Sequence, residues 1–82
     1  MLFFIDYDLR KKRNYQALYD ELAKFNATHV LESTWCFERV ETDAMNLRDH
    51  FMQFIDKDDG LCVTQVRDWA TWNVNASPKK AA

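Results

Sequence analysis

Between Leu2 and Leu9 apolar side chains recur at every second residue, and from Asn14 they recur three and four residues apart. This early change of period limits the fold more than any other feature, because it fixes a strand and then a helix within the first third of the chain. Phe3, Ile5, Tyr7 and Leu9 form one strand face; Leu2, Phe4, Asp6 and Asp8 form the other, which begins apolar and turns acidic at its end. Tyr15, Leu18, Tyr19, Leu22 and Phe25 then line one side of a helix, with Asn14 as its N-cap and Asn26 as its left-handed stop.

The same two periods return in the opposite order. Residues 28–40 are β-like throughout and read as two consecutive strands or one long bent strand, with the boundary near Ser33 and Thr34; no Gly or Asn-Gly turn fixes it. Thr42 is the expected cap of a second helix, with Asp43 in its first turn and Ala44, Leu47, Phe51, Phe54 and Ile55 as its buried stripe. An acidic turn over 56–60 ends that helix, and 61–66 is an apolar, β-branched closing strand. Residues 69–74 alternate weakly and read as an added edge strand or an arm, and 77–82 as a flexible polar tail beyond a single domain over 1–76. The order strand, helix, strand, strand, helix, strand predicts an α+β, ferredoxin-like βαββαβ fold, an antiparallel four-stranded sheet with two helices on one face. Its other face stays open. With aromatics at 15% of the chain, a second copy is the expected cover, giving a homodimer.

A chain of 82 residues has room for one core, and 48% hydrophobic residues exclude intrinsic disorder. The formal net charge of −2 excludes a generally basic nucleic-acid coat, so polyanion binding must come from a local patch. Cys36 and Cys62 are too few for a metal framework and point to a reduced intracellular protein. The leading apolar run is too short for a secretory signal, and no segment approaches a membrane span, so a cytoplasmic location without membrane partners is expected.

Two carboxylates on one strand face, about 7 Å apart from the strand rise, suit joint binding of a divalent cation, or one ligand with one supporting group. Asp6 and Asp8 stand in that relation; the alternative is an exposed strand residue and a cap for the following turn. In a symmetric dimer the same acid from each subunit can meet across the axis. Arg10, Lys11, Lys12 and Arg13 are candidate phosphate contacts in the loop entering the first helix, or else a solvated surface. Their closeness to Asp8 favours the first reading, since metal-dependent phosphodiester cleavage needs an acid and a phosphate clamp together. Ser33 and Thr34 lack nearby His and acid partners and read as turn or backbone-bonding residues, and His29 and His50 as structural or simply exposed. Asp56, Asp58 and Asp59 superficially suggest a calcium loop, but its terminal Glu is missing and a solvated helix-to-strand turn is the better account. Trp35, Trp69 and Trp72 read as packing residues rather than base-stacking ones.

At Tyr7-Asp8-Leu9 the chain resembles the small CRISPR-associated Cas-two proteins, one of the two universal spacer-acquisition components. An apolar strand ending in Tyr-Asp-aliphatic, a basic loop and an amphipathic helix follow in the family's order, and Val30-Leu31-Glu32-Ser33-Thr34-Trp35 is similar to its second-strand segment. Three positions depart from the pattern: Thr34 where the family has an aliphatic residue, Leu31 in place of a Gln, and Asn26 in place of a Gly. The resemblance covers 1–66 and implies a ferredoxin-like homodimer with a CRISPR integrase as partner. It also implies that Asp8 is a ligand for Mg²⁺ or Mn²⁺ in a nuclease site; Asp6 has no family role to carry over. The virulence-associated protein D ribonucleases share the fold and a similar strand-end acid. The expectation is therefore a dimeric metal-dependent endonuclease on RNA or DNA, with Arg10 and Arg13 holding phosphate. The alternative is a catalytically silent binding module of the same fold in a CRISPR, toxin–antitoxin or phage context.

Overall fold

In the computed structural model, which describes residues 1–78, the chain runs β1 (Leu2–Asp8), α1 (Gln16–Lys24), β2 (Thr28–Leu31), β3 (Thr34–Glu38), α2 (Ala44–Met52) and β4 (Gly60–Val66). The strands lie in the order β2-β3-β1-β4 with every neighbouring pair antiparallel, which is the ferredoxin-like α+β arrangement expected from the sequence. β1 is central because its alternation lets one face be wholly apolar: Phe3 and Ile5 are fully buried and Tyr7 nearly so. Leu18 and Leu22 of α1, Leu47 and Phe51 of α2 and Phe37 of β3 join them in one core, which places both helices on that face. The ring of Phe51 lies 4.9 Å from Phe25 and 5.8 Å from Phe37, so it ties α2 to α1 and to the sheet.

Local chemistry sets the element ends. Asn26 takes φ 55°, and its N–H and that of Ala27 close the last turn of α1 onto Ala23 and Leu22, the left-handed stop anticipated there. Before α1, Asn14 Oδ1 accepts from Gln16 N at 2.8 Å. Asp43, not Thr42, caps α2: its backbone is extended, and its carboxylate accepts from Asn46 N at 2.8 Å, where the positive helix end also favours an anion. The β2–β3 turn falls at Glu32 and Ser33, the boundary the sequence left open, and β2 carries a bulge between His29 and Leu31.

No strand forms over 67–78, so the arm reading of that segment holds and the extra edge strand does not. The segment leaves β4 at one sheet edge, and Asn75 donates its N–H to Val30 O at 2.9 Å on β2, the opposite edge. It therefore crosses the sheet. Cys36, which pairs with Phe4 on the face away from the helices, is only 2% exposed, as is Val30, so part of the open face is covered by the chain itself. Asn73, at φ 54°, bends the arm just before its bond to Val30. Pro78 is buried; the remainder of the anticipated tail, 79–82, lies outside the described residues. Among the described residues no helix is long and apolar enough to cross a membrane.

Candidate functional site

β1 carries Asp6 and Asp8 to the end of the central strand on the face away from the helices, as the alternation requires. Their surroundings then separate them. Asp6 lies opposite Thr34 of β3, whose Oγ1 donates to Asp6 Oδ1 at 2.5 Å. Asp8 lies opposite Gly60 of β4; its side chain is 71% exposed, and Oδ2 is 3.1 Å from Arg10 Nε. Both acids line a shallow, open depression with Tyr7, Gly60, Leu61 and Cys62.

The basic loop is folded onto the acidic turn that precedes β4. Arg10 donates its backbone N–H to Asp59 Oδ1 at 2.7 Å and Nη1 to the Asp58 carbonyl at 2.8 Å. Lys11 Nζ is 2.8 Å from Asp58 Oδ2, and Arg13 Nη1 is 3.7 Å from Asp56 Oδ2 with its guanidinium 5.0 Å from the Tyr15 ring centroid. Lys12 is exposed and makes no ion pair with a described residue. Asp59 is the hub, since Oδ2 also accepts from Tyr15 OH at 2.8 Å and Asp56 N at 2.7 Å. Its partial burial works against the charge, but hydrogen bonds from Arg10 N, Tyr15 OH and Asp56 N, together with the Arg13 charge, outweigh that and hold its carboxyl below the usual range. The calcium-loop resemblance of 56–59 thus resolves as a turn that fastens the 10–13 loop.

Gly60 gives the Arg10 guanidinium room beside the strand. A Cβ there would stand 3.1 Å from Arg10 Nη2 and 3.5 Å from the Asp8 Cβ. Composition and spacing did not reveal this loop-to-turn clamp; the signal available was the opposite charge of 10–13 and 56–59 together with the adjacency of the strands they flank.

The other polar candidates are engaged elsewhere. The Ser33 carbonyl accepts from Tyr7 N at 3.1 Å, and Thr34 serves Asp6. His29 stacks on Trp35 with ring centroids 4.0 Å apart, and His50 Nε2 lies 2.6 Å from Glu21 Oε2, bridging the helices. Trp35 Nε1 donates to Tyr7 OH at 2.9 Å, while burial raises the Tyr7 pKa. Trp72 is 90% exposed on the arm.

Among the described residues no group of three or more His, Cys, Asp or Glu is placed to hold a metal ion. What one chain offers is two neighbouring carboxylates, of which Asp8 is the more exposed and is paired with Arg10 through Oδ2. Oxygen donors from one or two carboxylates, completed by water and phosphate, are how Mg²⁺ is usually bound, so the donor set fits a hard divalent cation. Compared with known proteins, the chain matches over residues 1–74 the family model described as CRISPR associated protein Cas2. No solved structure matches it significantly.

Proposed function

The chain belongs to the CRISPR associated protein Cas2 family, and from that premise we propose that it is a dimeric, metal-dependent endonuclease acting on RNA or DNA. The observation that carries this is Asp8: an exposed carboxylate at the end of the central strand, on the face away from the helices, with Arg10 and Arg13 on the adjoining loop. Asp8 is the ligand for Mg²⁺ or Mn²⁺, and Asp6, oriented by Thr34, supports it. When bound, the ion supplies a Lewis acid for a phosphoryl oxygen and a more acidic water. The chain's own part is to fix the carboxylates on a rigid strand and to offer phosphate the guanidinium groups of Arg10 and Arg13, with Lys11 and Lys12 nearby. Asp8 of a second copy, brought across a two-fold axis, completes the donor set. A CRISPR integrase, nucleic acid and a cytoplasmic setting complete the proposed context.

One observation favours a second reading, a nucleic-acid-binding module without cleavage. Arg10, Lys11 and Arg13 all pair with acids of their own chain, which lowers the field they present to a polyanion. Incubating the protein with labelled single- and double-stranded RNA and DNA in Mg²⁺, Mn²⁺ or EDTA distinguishes the two. Metal-dependent cutting should fall at least about a hundredfold in Asp8→Ala, the loss typical of removing one electrostatic catalytic group. Cutting that survives the substitution would refute the role of Asp8, and binding without cutting by the unaltered protein would establish the second reading.

A further inference from the structure

Arg10 is held by more than its ion pair with Asp8. A surface pair with side chains 55% and 71% exposed is ordinarily worth little, because two long side chains must be ordered to make it. Here the ordering is done by other groups. The Arg10 backbone is tied to Asp59, Nη1 is tied to the Asp58 carbonyl, and the guanidinium lies against Gly60, where no side chain stands in its way. Nε is thereby left pointing at Asp8 Oδ2 with little further entropy to lose. A preplaced cation on a carboxylate competes with any other cation for it.

We propose that Arg10 is an internal latch on Asp8: its guanidinium occupies the carboxylate that the metal needs, and the affinity of the chain for a divalent cation is set by how firmly the 10–13 loop is fastened to the 56–59 turn. The proposal deepens the metal-site reading above and rests on it.

Mn²⁺ binding by the 82-residue chain, followed by electron paramagnetic resonance of the free ion, tests both and separates them. Arg10→Gln removes the competing charge and should bind Mn²⁺ about three- to tenfold more tightly, the range expected when an exposed but preorganised ion pair is removed. Gly60→Ala is an independent route to the same end. Its backbone is not in the left-handed region, so alanine is allowed, and the new methyl crowds Arg10 Nη2, which must give by a few tenths of an ångström, without changing any charge. It should tighten Mn²⁺ binding as well, and it decides the matter alone if circular dichroism shows Arg10→Gln to be unfolded. Adding Asp8→Asn to either variant should abolish the gain. Variants that bind Mn²⁺ no more tightly than the unaltered protein, while Asp8→Asn alone weakens binding, would overturn the latch and leave the metal site standing. Binding indifferent to Asp8→Asn in every background would overturn the metal site and the latch with it.

Discussion

Asp6 and Asp8 share a strand face and a charge, yet their neighbours give them different work. The face was legible from alternation alone, but the difference was not, because it depends on which residues β3 and β4 set opposite them. Thr34 faces Asp6, and Gly60 faces Asp8. The same limit explains Thr34 itself, which in sequence looked like a turn residue and in the sheet is a hydrogen-bond donor across strands. Removing that donor in Thr34→Val should cost about 1 kcal/mol of stability, the usual net worth of one such bond, read as a lower urea midpoint with an unchanged slope. A variant as stable as the parent would show that the Thr34 hydroxyl contributes nothing to holding Asp6. At the start of α2 the competition between Thr42 and Asp43 turned on one residue. The carboxylate took the cap because it both reaches Asn46 N and complements the helix dipole.

At the level of elements, the clamp between the 10–13 loop and the 56–59 turn is what a reading of single segments misses. Each half looked complete, one as a phosphate-binding loop and the other as a failed calcium loop. Placing β1 beside β4 brings them together. The hub, Asp59, has its carboxyl held below the ordinary range, so its ionised form is favoured by the fold. Its contribution to stability is therefore fully present above the unfolded value of about 3.9 and is lost as pH falls through the lower folded value. Asp59→Asn should lower the urea midpoint at pH 7, and the gap from the parent should close below about pH 4. A gap of the same size at pH 7 and at pH 3 would show that the charge of Asp59 is not what fastens the turn. Element order, by contrast, was readable except at the β2–β3 junction, where no Gly or Asn-Gly turn marked the break that the structure places at Glu32 and Ser33.

For the whole molecule, the ferredoxin-like order follows from two βαβ units sharing one sheet, and the core of Phe3, Ile5, Leu18, Leu22, Leu47 and Phe51 is the set that periodicity selects. Coverage of the opposite face could not be read. The arm over 67–78 alternates only weakly, and the backbone bond from Asn75 N to Val30 O joins residues far apart in the chain. The arm covers only part of that face: Leu2, Phe4 and Asp6 keep partial exposure there. That leaves a surface for the second copy that the proposed two-fold Asp8 site requires. Light scattering at micromolar concentration should return twice the mass of one chain, and a monomer mass would remove the two-fold site.

The path of the arm also has a consequence in time. A sheet edge with unpaired N–H and C=O groups is a template for foreign strands until something occupies it. On β2 that occupant is Asn75, which follows every strand in the chain. During synthesis β2 therefore emerges well before the residue that shields its edge, and the four strands can assemble while that edge is still bare. Until then Val30 O on that edge is free to accept from a foreign strand, and afterwards the chain's own arm holds it.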